Sequence, residues 1–223
     1  GMGVLTKYLV RNPALTLKVV EIDRDSVAYL KKHYPALEGN IVEGDFLELD
    51  ISSVFTNSFS IIGNFPYNIS SQIFFKVLNE RNRVKEVVCM LQKEVADRIA
   101  SKHGNKTYGI LSVLLQTFYS IEYLFKVPPG VFTPPPKVMS AVIRLTRNNR
   151  VSLPCNEELF VKVVKTGFNQ RRKTLRNALK PLPLTSDVAG LAVFDKRAEQ
   201  LSVDDFIQLT QTIEKSRAGI HGV

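Results

Sequence analysis

Cysteine is scarce in this chain: among 223 residues there are two, Cys89 and Cys155. Neither lies in a Cys-x-x-Cys pair. Two thiols cannot build a disulfide framework, so both are expected to be reduced. Histidine is scarce too, with three scattered residues. No cluster has the spacing of a zinc site, which argues against a metal enzyme. No apolar run approaches the ~18 residues that a bilayer-spanning helix needs. A basic-then-apolar leader is missing from the start, so the expected compartment is the cytoplasm. Internal repeats and low-complexity tracts are also absent.

Acidic charge is the remaining deficit. Thirty Lys and Arg stand against 21 Asp and Glu, a net charge of +9. Its distribution says more than its size. Residues 159–186 hold seven bases (Lys162, Lys165, Arg171, Arg172, Lys173, Arg176 and Lys180) and no acid. One account is a solvated helix face. A stretch of this length without a compensating carboxylate favours a polyanionic partner instead.

What is present reads as a globular α/β protein. Apolar residues make up 44% and charged residues 23%, which excludes disordered and fibrous classes. Strand-like segments at residues 17–22, 40–43, 59–64, 84–91 and 138–145 alternate with helix-like ones at 4–10, 25–34, 70–78, 94–100 and 108–117. Asp23 is a plausible N-cap for the second helix and Pro35 its stop. Such alternation predicts a mostly parallel sheet covered on both faces. Arg147-Asn148-Asn149-Arg150 reads as a linker. After it come helices at 157–167, 172–179 and 203–216. The expected division is an α/β domain over residues 1–147 and a small helical domain over 148–223.

Ligands of open α/β sheets sit beyond the carboxyl ends of the strands, and three features fall there. Glu21 closes its strand 18 residues after Gly3, in a Gly1-Met2-Gly3 turn that opens a helix. Glycines followed by an acid suit a nucleotide whose ribose hydroxyls meet the carboxylate; an acid at a strand end is equally a helix cap. Asp45 follows Gly44, where a carboxylate accepts an adenine amine or simply closes a turn. The tetrapeptide Asn64-Phe65-Pro66-Tyr67 is more specific. An exocyclic base amine is planar and a poor nucleophile. Two acceptors aimed at its hydrogens, the Asn64 amide oxygen and the Phe65 carbonyl, draw it toward a tetrahedral shape and free its lone pair. Pro66 biases Phe65 toward extended backbone. Tyr67 offers a ring on which the base stacks. No metal or strong base is required, because positioning and electrostatics suffice.

With these residues in place, the sequence resembles the KsgA (RsmA) family of small-subunit ribosomal RNA adenine N6,N6-dimethyltransferases. The matching segments are Gly1-Met2-Gly3-Val4-Leu5-Thr6, Val20-Glu21-Ile22-Asp23, Gly44-Asp45 and Gly63-Asn64-Phe65-Pro66-Tyr67-Asn68-Ile69-Ser70. They continue with Gln92-Lys93-Glu94-Val95-Ala96, Tyr108-Gly109-Ile110-Leu111-Ser112-Val113, Phe132-Thr133-Pro134-Pro135-Pro136-Lys137-Val138 and Phe168-Asn169-Gln170-Arg171-Arg172-Lys173-Thr174-Leu175-Arg176. The resemblance implies a Rossmann-like class I methyltransferase sheet with a small C-terminal helical domain, and S-adenosyl-L-methionine as cofactor. It implies that Gly1 and Gly3 lie beside the methionine part of the cofactor, Glu21 holds its ribose, and Asp45 binds its adenine with Phe46 alongside. Asn64, Phe65 and Tyr67 would handle the target adenosine, with Phe132 on the base's other face. Arg171, Arg172, Lys173 and Arg176 would grip rRNA phosphates, which set register rather than sequence. The implied substrate is two adjacent adenosines near the 3′ end of small-subunit rRNA in a pre-ribosomal particle, with no membrane or DNA partner.

Family members carry a further N-terminal segment and a first strand with the glycine motif before this point. The expectation is therefore a sheet without its first strand, with unpaired neighbouring edges and a weakened cofactor cradle. Two alternatives are a non-catalytic rRNA-binding assembly factor and another nucleic-acid adenine N6 methylase.

Overall fold

The computed structural model describes residues 1–220. In chain order it contains α1 (Thr6–Leu9), β1 (Val19–Glu21), α2 (Arg24–His33), β2 (Ile41–Glu43), α3 (Ile51–Val54), β3 (Phe59–Asn64), α4 (Ser70–Asn79), β4 (Val84–Gln92), α5 (Lys93–Ala100), α6 (Ile110–Phe118), β5 (Tyr119–Val127), β6 (Ser140–Arg147), α7 (Glu157–Asn169), α8 (Leu175–Ala178), α9 (Ser186–Ala189) and α10 (Val203–Ile220). No helix among the described residues is long and apolar enough to cross a membrane.

The local chemistry of the elements is legible. Asp23 caps α2, its carboxylate accepting the Ser26 N–H at 2.9 Å, and the last turn carries Lys31, Lys32 and His33, which suits the helix dipole. α4 buries Ile73, Phe74, Val77 and Leu78 on one face, as its spacing predicts. β4 alternates: Val87, Cys89 and Leu91 are buried, with Val88 and Met90 between them half-buried. α6 is buried almost all round, and a helix apolar on every side belongs between two layers.

The strands form two pieces, β1-β2 and β3-β4-β6-β5. β1 pairs with β2 in parallel, and β3 with β4. Among the described residues β1 and β3 each keep one edge without a strand partner. Two corrections concern the other half. Residues 119–127, unassigned from sequence, form the long strand β5. β6 runs antiparallel to both β4 and β5, so half of the pairings are antiparallel rather than mostly parallel. The helix predicted at 172–179 shrinks to the single turn α8; residues 170–174 are a turn, closed by the Lys173 N–H on the Gln170 carbonyl at 2.8 Å.

Strands end at Arg147 and helices follow. One continuous core nevertheless spans both regions, from Phe74 and Leu91 through Leu115 to Phe168, Phe206 and Ile213. The segment read as a linker is tied down by Arg147. Its guanidinium donates to the carbonyls of Phe118 at 2.8 Å, Arg150 at 2.7 Å and Arg81 at 3.1 Å.

Candidate active site

The parallel register of β1 and β2 sets Glu21 opposite Glu43. The Gly44 N–H then donates to the Glu21 carbonyl at 2.9 Å, so Asp45 emerges beside the end of β1. Glu21 is mostly buried. One carboxylate oxygen accepts the Asp23 N–H at 3.0 Å, and the other contacts the amine of Gly1. Asp45 takes the Leu47 N–H on Oδ1 at 2.8 Å; Oδ2 has no protein partner among the described residues. The structure thus brings Gly1, Glu21 and Asp45 together. Phe46 packs against the core, under the ammonium of Lys76 at 5.5 Å from its ring centre.

Gly3 has φ +76, and a Cβ there would lie 2.8 Å from the Tyr34 ring. Left-handed backbone and close approach both demand glycine. Its carbonyl accepts the Tyr34 hydroxyl at 3.3 Å, so the turn is docked on the end of α2.

The tetrapeptide lies at the carboxyl end of β3. Asn64 is the last strand residue, paired with Met90, and is exposed. Phe65 is 6% exposed; its N–H donates to the Met90 carbonyl at 2.9 Å and its ring packs on Phe74 at 5.7 Å. Its own carbonyl accepts no hydrogen bond from the described residues. The side chain and the backbone of one residue are thus fixed while two neighbouring oxygens stay free. Tyr67 is half-buried, its hydroxyl 2.5 Å from Ser140 Oγ. Ser140 opens β6 opposite Gln92, the last residue of β4. The Pro-rich turn carrying half-buried Phe132 therefore enters at the same end of the sheet as Asn64. The loop after Asp45 is tied to α4, the helix that follows the tetrapeptide: Lys76, in the last turn of that helix, donates to the Leu47 carbonyl at 2.7 Å.

Lys93 sits beside these residues, its N–H on the Met139 carbonyl at 2.9 Å. Its ammonium bonds Asp97, and that hydrogen bond holds the lysine above its ordinary range.

The four basic residues named from sequence divide. Arg171 donates to the Tyr108 carbonyl at 2.7 Å, to the Lys106 carbonyl and to Glu199 at 3.2 Å. Arg176 donates to Asp195 at 2.7 Å and to the Ala189 carbonyl. Both are engaged within the chain. Arg172 and Lys173 are exposed, as are Lys162, Lys165 and Lys180.

Sequence reasoning passed over Ser140, Lys76 and Tyr34. Ser140 had a signal: it is a lone polar residue heading the apolar run Ala141-Val142-Ile143. Lys76 and Tyr34 had none, because their partners are loop carbonyls far away in the chain.

The family described as "Ribosomal RNA adenine dimethylase" matches residues 1–215. The ribosomal RNA small subunit methyltransferase A of Cytophaga hutchinsonii is 61% identical, over 96% of this chain and 83% of its own length. That of Flavobacterium johnsoniae is 58% identical, over 96% and 82%. A dimethyladenosine transferase from Plasmodium falciparum superposes with a TM-score of 0.81 at 25% identity, covering 97% of this chain and 88% of its own. The 23S rRNA methyltransferase ErmE shares the fold, with a TM-score of 0.65 at 23% identity, covering 95% of this chain and 88% of its own. On the family match and on these identities, the chain belongs to the ribosomal RNA adenine dimethylase family.

Proposed function

We propose that this chain methylates N6 of two adjacent adenosines near the 3′ end of small-subunit rRNA, within an assembling ribosomal particle in the cytoplasm. Its family makes it an rRNA adenine dimethyltransferase that uses S-adenosyl-L-methionine. When bound, that cofactor supplies an electron-poor methyl carbon on a sulfonium.

The residues present fit the cofactor. The free Oδ2 of Asp45 suits an adenine amine, with the Phe46 ring alongside. The Glu21 carboxylate keeps lone pairs for ribose hydroxyls. Gly3, where a side chain would strike Tyr34, leaves backbone open for the methionine part, with Gly1 beside it.

Asn64 and Phe65 do the chemical work. The Asn64 amide oxygen and the Phe65 carbonyl accept the two hydrogens of the target amine. The nitrogen leaves the plane of the ring and its lone pair becomes available. The Phe65 carbonyl is fixed beforehand, since Phe65 is buried and bonded to Met90, so that acceptor needs no reorganisation at reaction. Tyr67 and Phe132 hold the base from its two faces. Arg172 and Lys173 meet rRNA phosphates; Arg171 and Arg176 serve that contact by fixing the backbone between them.

The observation that carries the proposal is the exposed Asn64 beside an unpaired Phe65 carbonyl at the strand end. Asn64→Ala is expected to slow tritium transfer to unmodified small-subunit particles about 10²- to 10³-fold, with particle binding kept. Unchanged product would remove Asn64 from the reaction. Particle binding by the unaltered chain with no transfer at all would favour a non-catalytic assembly factor. Transfer to duplex DNA at the rRNA rate would favour a general adenine methylase.

A further inference from the structure

We infer that Ser140 is a positioning residue for the methyl-accepting base, acting through Tyr67; this rests on the reading of Tyr67 given above. Ser140 has no exposed surface. It opens β6 between Gln92 of β4 and Val127 of β5, which fixes its backbone on both sides. Its Oγ lies 2.5 Å from the Tyr67 hydroxyl, at the short end of the range for O–H···O bonds.

A second tie holds the other end of Tyr67. The buried Ser70 hydroxyl donates to the Tyr67 carbonyl at 3.3 Å. Backbone and phenol tip are thus both fastened, and no other aromatic ring of the described residues pairs with the Tyr67 ring. What remains available on Tyr67 is a face of its ring.

An untethered phenol samples several rotamers, and a base stacking on it must first select one. A hydroxyl bond to a buried strand removes that freedom before the base arrives. The same strand start is tied to α5 as well. The carbonyl of Met139, next to Ser140, accepts the Lys93 N–H at 2.9 Å, which anchors the end of the turn that carries Phe132.

The test is single-turnover methyl transfer to small-subunit particles at saturating cofactor, for Ser140→Ala, Tyr67→Phe and the double variant. Each single change is expected to slow transfer about tenfold, with S-adenosylmethionine affinity unchanged. The double variant is expected to be no slower than either single one, because both remove the same bond. RNA with 2-aminopurine at the target position reports stacking directly, and its quenching should weaken in parallel. A double variant slowed by the product of the two single effects overturns the inference, as does wild-type rate and quenching in Ser140→Ala. If Ser140→Ala does not fold, Tyr67→Phe carries the test alone, and its wild-type rate overturns the link. Tyr67→Ala separates the two levels: a wild-type rate there would remove the base-stacking role itself rather than its support.

Discussion

Lys76 fastens the loop after Asp45 to α4 by donating to the Leu47 carbonyl at 2.7 Å. A second bond reaches the Leu49 carbonyl at 2.5 Å. The two pieces of the sheet share no strand pairing among the described residues, so this lysine is one of the ties that hold the loop after Asp45 to the larger piece.

Lys76→Met keeps the aliphatic stem and removes both bonds. The S-adenosylmethionine dissociation constant is expected to rise about fivefold to tenfold by calorimetric titration, with the melting temperature little changed. An unchanged constant would mean that the Asp45 loop holds its shape unaided.

The basic residues separate by readout. Arg172→Ala with Lys173→Ala is expected to weaken rRNA binding and to flatten its salt dependence by about two in log–log slope, with unchanged melting. Arg171→Ala and Arg176→Ala are expected to lower the melting temperature by roughly 2–4 °C each, since the first leaves two backbone carbonyls and a carboxylate, and the second one carbonyl and a carboxylate, without that donor. Equal salt slopes for the two sets would contradict this division.

Gly3→Ala tests the turn. The change imposes left-handed strain of about 1–2 kcal/mol and pushes a methyl against Tyr34. Weaker cofactor binding is expected, and Gly3→Ala with Tyr34→Ala should recover less than half of the lost binding energy, because the strain remains. Full recovery would reduce the role of Gly3 to space alone.

Asp205 gives the fold a pH signature. Its carboxylate accepts the Ser202 hydroxyl at 2.7 Å and N–H at 2.8 Å, while Ser202 Oγ accepts the Asp205 N–H at 3.1 Å, a reciprocal cap on α10. The Ser202 hydroxyl, then its N–H, hold the acid below its ordinary value. A depressed folded pKa contributes stability above the unfolded pKa of about 3.9. That contribution is lost as pH falls through the folded value. The melting gap between wild type and Asp205→Asn is expected to be widest near neutrality and to close in acid. A gap constant down to strong acid would exclude the carboxylate as its source.

The sequence made some of this legible and hid the rest for physical reasons. Asp23 as a cap, the apolar stripe of α4 and the exact span of β3 follow from local pattern, so they could be read. β5 escaped because α6 ends at Phe118 and the strand begins at Tyr119, with no glycine or proline to mark the junction. The alternation of Tyr119, Ile121 and Tyr123 with Ser120 and Glu122 was the available signal, and a register shift before Phe125 breaks it. With β5 missing, the reversal of β6 could not be foreseen. Among site residues, Asn64 and Asp45 were named by motif and spacing. The internal roles of Arg171 and Arg176 depend on carbonyls at Lys106, Tyr108 and Ala189, which no local pattern connects to them.

Arg172 and Lys173 owe their presentation to their neighbours. The turn that bears them is closed by Gln170 and Lys173, clamped at Arg171, and held downstream by the Leu175 N–H on the Lys196 carbonyl at 2.8 Å. On the proposed reading, an incoming RNA strand would meet two cations on a backbone already ordered, and little chain entropy would be surrendered in docking. Cutting the Arg171 clamp should then act on association as a loosened hinge does, spreading the two charges over many arrangements of which few fit the spacing of phosphates.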